Sequence, residues 1–127
     1  MKLELHRLPG TFAVHRLPSG APLPAGLTDE PFYALLRSRD ELSVCCRAGF
    51  ELASERVESG WACLRVAGPL DFSLTGVVSG LTAPLAAAAI PVFVISSFDT
   101  DYLLLKEEVL SRAREVLATH GIDILSE

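Results

Sequence analysis

Residues 61–125 pass through short strand-like and longer helix-like apolar periods in the order βαββαβ, and this order narrows the possible folds more than any other feature of the chain. Trp61 to Ala67 reads as a strand, followed by a glycine-bearing polar turn and an apolar helix pattern. A proline-led strand (VFVIS), the polar loop Ser96-Ser97-Phe98-Asp99-Thr100-Asp101 and a second apolar strand (YLLLK) come next. Val109 to Thr119 has helical spacing, His120-Gly121 is a stop signal, and Ile122 to Leu125 is a short closing strand. Such an order builds an α+β domain of the split βαβ kind, with both helices on one face of the sheet.

The helix signals are specific. Val77/Val78, Leu81, Leu85 and Ala88/Ala89 recur at helical spacing and form one apolar stripe. Pro84 lies inside it; an interior proline removes one backbone bond and costs about 3 kcal/mol. One bent helix from about Leu74 to Ala89 is predicted, rather than two elements. In the second helix Val109, Leu110, Ala113, Val116 and Leu117 face inward, and Gly121 ends it. The strands VFVIS and YLLLK are apolar on both faces, which a sheet with helices on one side does not require. The N-terminal half, a second subunit or both must cover the other face.

The N-terminal half is less regular. Leu3 and Leu5, then Phe12 and Val14, alternate with polar residues on either side of Leu8-Pro9-Gly10, which predicts a hairpin. Ser19 to Pro31, broken by Gly20, Pro22, Pro24 and Gly26, reads as an irregular loop. Pro31 suits the first turn of a short helix through Arg37, with Phe32, Leu35 and Leu36 toward the core. Glu41 to Arg47 is a strand candidate, Phe50 to Ser59 another extended segment, and Gly60 ends it.

At 127 residues the chain fits one ordinary domain or two very small ones. Half of its residues are hydrophobic and 21% charged, enough to build a core. A net charge of -5 with scattered Lys and Arg argues against a nucleic-acid partner. Leu81 to Ile95 is the longest nearly apolar run, holds two prolines and falls short of the ~20 residues of a membrane span, so no membrane partner is expected. Met1-Lys2 leads into alternating LELHRL, not a signal peptide. The three cysteines, Cys45, Cys46 and Cys63, form no C-x-x-C and read as small buried hydrophobes in a reducing cytoplasm.

Residues 61–125 resemble the ACT domains, most closely the tandem ACT-like proteins related to the aspartate kinase regulatory region and the CASTOR-type arginine sensors. The resemblance rests on Asp71-Phe72-Ser73-Leu74-Thr75-Gly76 at the turn into the first helix, on Leu85 and Ile90, and on SSFDTDYLLL from Ser96 to Leu105. The chain departs from the pattern at Ala87-Ala88-Ala89, where relatives commonly carry acidic and glycine residues. The resemblance implies a ferredoxin-like ACT fold in two ACT-like halves: a reduced N-terminal unit over 1–59 and a complete domain over 60–127. It also implies a homodimer, and a free amino acid bound at the helix-start turn and a dimer or inter-domain interface.

Read as chemistry, the turn from Asp71 to Gly76 leads into unpaired helix amides, which attract a carboxylate, and Gly76 permits close approach. The plain alternative is that Ser73 caps the helix and Asp71 solvates the turn. Asp99 and Asp101, two residues apart, share a side if extended and suit an ammonium, a guanidinium or a metal, or are simple turn residues. No histidine or calcium-loop spacing supports the metal. With the resemblance, the candidate ligand residues are Asp71, Phe72, Ser73, Leu74, Thr75, Gly76, Ser97, Phe98, Thr100 and Asp101, and three carboxylates favour a cationic amino acid. No P-loop, dinucleotide fingerprint or HExxH is present, and His6, His15 and His120 lie in no catalytic motif. The expectation is a non-enzymatic, cofactor-free regulatory module; the alternative is an interaction module with no ligand.

Overall fold

A computed structural model describes residues 3–68 and 75–126. The strands are β1 (Glu4–Arg7), β2 (Phe12–Leu17), β3 (Tyr33–Arg37), β4 (Leu42–Arg47), β5 (Arg56–Val66), β6 (Phe93–Ser96), β7 (Asp101–Lys106) and β8 (Asp123–Ser126). The helices are α1 (Val77–Ala87) and α2 (Leu110–Ala118), with 3-10 turns at Leu27–Asp29 and Glu107–Val109. The chain divides into two compact units: the described parts of Met1–Pro9 and Ala62–Glu127 form the larger, and Gly10–Trp61 the smaller.

The larger unit has the expected mixed α+β fold. β5, α1, β6, β7, α2 and β8 follow one another as βαββαβ. β6 and β7 are antiparallel, with Phe93 opposite Leu104 and Ser96 opposite Asp101, and β7 also pairs with β5. β1 enters between the last and first strands of this set: parallel to β8 (Leu5 opposite Ile124) and antiparallel to β5 (Leu5 opposite Val66). Alternate residues Ala62, Leu64 and Val66 of β5, Leu103 and Leu105 of β7, and Leu5 of β1 share one core with Val77, Leu81 and Leu85 of α1 and Leu110, Ala113 and Leu117 of α2. Both helices therefore cover the same face.

α1 is one helix with Pro84 inside it. It ends in a Schellman-type pair of bonds, Ile90 N–H to Leu85 C=O and Ala89 N–H to Ala86 C=O, both at 2.9 Å. This ending puts Ala89 at φ +58°, a left-handed conformation that costs an L-residue free energy. α2 ends the same way, Ile122 N–H bonding Leu117 C=O at 3.0 Å, but with Gly121 at the left-handed position.

The smaller unit is an antiparallel sheet of β3, β4, β2 and the first half of β5. Its core is Leu17, Leu27, Leu42, Val44 and Cys46, flanked by Ala21, Tyr33, Leu35, Phe50 and Leu52. His15 is buried here at 7% exposure, sharing a 2.9 Å hydrogen bond with Ser54 Oγ, and burial lowers its pKa from the ordinary 6.5. Burial raises both thiols of β4: Cys45 is pushed up to about 12, first by desolvation and then by neighbouring Cys46. For Cys46 desolvation again leads, followed by the Glu30 carboxylate.

Four expectations need correction. Pro31 to Arg37 is not a helix: Tyr33–Arg37 is β3, in register with β4 from Tyr33 opposite Cys46 to Arg37 opposite Leu42. So short a segment cannot nucleate a helix alone, whereas a partner strand satisfies its backbone at once. Leu36 consequently points outward and is 65% exposed. β1 and β2 do not pair as a hairpin; β1 pairs with the second half of β5 and β2 with the first half. Gly60 does not end a strand but sits inside β5 at φ +80°. Because Phe12 faces Trp61 and Val14 faces Glu58, Ala13 stands against both Ser59 and Gly60, a β-bulge that only glycine enters without strain. Finally, the break between units lies at Trp61/Ala62, near the expected 59/60 boundary, but β1 belongs with the C-terminal elements rather than with a 1–59 segment. Long-range pairing decided that, and no local pattern records it.

Leu103, Leu104 and Leu105 are all fully buried, so β7 is covered on both faces. Exposed apolar surface lies instead on the outer strand β6, where Phe93 and Val94 are each 37% exposed.

Candidate functional site

The turn between β6 and β7 is built by two side chains. Ser97 N–H donates to Thr100 C=O at 2.8 Å, the Ser97 hydroxyl donates to the same carbonyl at 2.9 Å, and Thr100 N–H donates to Ser97 Oγ at 3.2 Å. A serine hydroxyl that both donates and accepts closes the turn without a glycine. Thr100 is buried, and its hydroxyl donates to the Val66 carbonyl at 2.6 Å. The turn is therefore anchored to the end of β5.

Beside this anchor is a cleft of about 330 Å³ lined by Arg65, Gly68, Ser97, Asp99, Thr100 and Tyr102. Of the sequence candidates it gathers Ser97 and Thr100. Phe98 is outside the lining and 80% exposed. Asp101 is also outside: on β7 opposite Ser96, it accepts the Ser96 hydroxyl at 2.6 Å. The idea that Asp99 and Asp101 present two carboxylates on one side is corrected by the tight turn, which puts Asp99 in the cleft and Asp101 in the strand. Asp71, Phe72, Ser73 and Leu74 lie outside the described residues.

Thr75 is exposed, and Gly76 stands immediately before α1 at φ +79°. A Cβ at Gly76 would meet nothing closer than Ser79 Oγ at 3.9 Å, so the left-handed backbone, not crowding, selects glycine there. Arg65, Gly68 and Tyr102 were missed from sequence. For Arg65 a signal existed: a charge between Leu64 and Val66, both of which are buried with the helices.

A larger groove of about 590 Å³ runs along α1 and α2, lined by Ser79, Gly80, Ala83, Ala87, Val116, His120 and neighbours. Its walls are mainly methyl groups and offer no opposed charges. Among the described residues no group of three or more His, Cys, Asp or Glu is placed to hold a metal ion, and no helix is long and apolar enough to cross a membrane.

The ACT domain family matches residues 56–125, more than half of the 127-residue chain. This chain belongs to the ACT domain family. Within the family it is 32% identical, over 85% of its length, to the "Cytosolic arginine sensor for mTORC1 subunit 1" of Pongo abelii, and it spans 38% of that relative's length. It also superposes on protein Atu0741 from Agrobacterium tumefaciens with a TM-score of 0.91 at 33% identity, covering 100% of this chain and 95% of that one. The regulatory subunit of aspartate kinase from Thermus thermophilus shares the fold at a TM-score of 0.56 and 11% identity, covering 87% of this chain and 92% of the other. The fold is that of the ACT domains.

Proposed function

We propose that this ACT protein is a non-catalytic regulatory module that binds a free amino acid. Its site is the cleft beside the Ser97–Thr100 turn together with the helix-start turn from Asp71 to Gly76. The observation carrying this reading is the meeting of opposite charges, Arg65 and Asp99, with hydroxyl and aromatic groups of Ser97, Thr100 and Tyr102 around one small cleft. Pockets for small polar ligands join a few convergent polar groups to an apolar wall in this way. The name of the 32% identical relative, an arginine sensor, supports an amino acid as the ligand. We further propose a homodimer, a cytoplasmic setting consistent with the three buried cysteines, and descent of the smaller unit from a reduced ACT-like copy.

The test is a melting-temperature screen against the common L-amino acids at millimolar concentration. A ligand specific for the folded state raises stability by RT ln(1 + [L]/Kd). One or a few amino acids should raise the midpoint, in proportion to the logarithm of concentration. A flat response across the panel overturns the reading. The second reading, an interaction module with no ligand, is favoured by the apolar outer strand β6 with Phe93 and Val94 on its surface. It predicts self-association that no amino acid alters.

A further inference from the structure

The cleft contains a cation that no pattern in the ligand-binding turns accounts for. Arg65 sits on β5 between Leu64 and Val66, both of which point into the helix-covered core. Strand alternation therefore turns Arg65 to the opposite face, where it is half-buried. Across the ladder it stands opposite His6, whose ring nitrogen bonds Glu4 Oε1 at 2.8 Å. Tyr102 alternates in the same sense with the core residue Leu103 and is also half-buried. Asp99 reaches the cleft from the turn that Ser97 and Thr100 close, and Thr100 fastens that turn to Val66, the residue next to Arg65. One guanidinium and one carboxylate are thus held at the same end of the sheet by a short chain of hydroxyl-to-backbone hydrogen bonds.

We propose that Arg65 and Asp99 recognise the α-carboxylate and the α-ammonium of the bound amino acid, and that Tyr102 supplies the flanking wall for its side chain. This deepens the amino-acid reading above and rests on it. It moves the carboxylate anchor from the helix amides near Gly76 to the guanidinium of Arg65. It also moves selection from a cationic side chain to the zwitterion common to all amino acids, because the described lining carries one charge of each sign. A guanidinium has five donors in a planar fork, so it can hold a carboxylate through two of them while keeping another partner. Half-burial strengthens each charge-assisted bond relative to open water. Asp99, on the more exposed rim, matches the strongly hydrated ammonium.

The experiment is isothermal calorimetry on the full chain and its Arg65→Gln, Arg65→Lys and Asp99→Asn variants. The probes are the common L-amino acids, the carboxamide of the best binder and its N-acetyl derivative. On the unaltered chain, removing either ligand charge should weaken binding by about tenfold or more. Arg65→Gln should weaken the amino acid by a similar factor but leave the carboxamide little changed. Asp99→Asn should weaken the amino acid but leave the N-acetyl derivative little changed. Arg65→Lys keeps the charge, loses the fork and should fall in between. Equal affinity of the unaltered chain for the amino acid and its carboxamide overturns the proposal, even if no Arg65 variant folds, and leaves the amino-acid reading standing. So does undiminished binding by a folded Arg65→Gln. If the unaltered chain binds no amino acid at millimolar concentration, both readings fall together.

Discussion

The Thr100 hydroxyl donates to the backbone carbonyl of Val66 at 2.6 Å, tying the β6–β7 turn to the end of β5 from a buried position. Thr100 thus serves the cleft by fixing its floor. Replacing it by valine keeps the shape and leaves a buried carbonyl unsatisfied, a loss of about 1–3 kcal/mol. Urea denaturation of Thr100→Val should show that loss at an unchanged m-value, and Thr100→Ser, which retains the hydroxyl, should be milder.

Ala89 occupies the left-handed position that ends α1, where the equivalent residue of α2 is Gly121. Ala89→Gly should therefore stabilise the protein by about 0.5–1 kcal/mol, the relief of the Cβ exceeding the added freedom of the unfolded chain. The check is the denaturation midpoint; a fall would show that the strain at Ala89 is not paid in stability.

His15 is buried neutral, so its folded pKa lies below the ordinary 6.5. The unfolded chain then takes up the proton first, and protonation favours unfolding. The His15 contribution is fully present above pH 6.5 and is lost as pH falls from there toward the lowered folded value. Melting temperatures should decline over that window, and His15→Gln should flatten this part of the profile.

Cys45, Cys46 and Cys63 are all buried, and the Cys45 pKa is raised to about 12. Thiolates are the reactive species, so at pH 8 the native chain should resist alkylation. Mass spectrometry should find modification only after denaturant is added. Rapid native labelling of Cys45 would contradict its buried setting.

The homodimer we propose has a natural edge in β6, an outer strand with Val94 on its surface. Strand edges of this kind recruit further strands unless charged. Val94→Lys should shift sedimentation toward monomer and remove any dependence of the melting midpoint on protein concentration, without unfolding the chain. A charge at Leu103, Leu104 or Leu105 would instead unfold the protein, since all three are fully buried.

The βαββαβ order, both helices and the β6–β7 pair with its Ser96–Asp101 loop are legible from sequence because each is written in local periodicity or turn chemistry. The single helix running through Pro84 and the stop at Gly121 are legible for the same reason: their signals act within a few residues. The family, too, was carried by contiguous motifs such as SSFDTDYLLL. What the sequence did not disclose depends on partners far along the chain. Tyr33–Arg37 is a strand because β4 lies beside it, and β1 joins the C-terminal elements because β5 and β8 offer it two free edges. Gly60 was read as a stop because a bulge and a terminus use the same left-handed residue. Arg65 reaches the cleft, and Asp101 is kept out of it, by strand alternation and a tight turn from Ser97 to Thr100, geometry that exists once β5, β6 and β7 are side by side. Local composition thus determined which elements form, while the pairing of distant backbone groups decided which side chains meet.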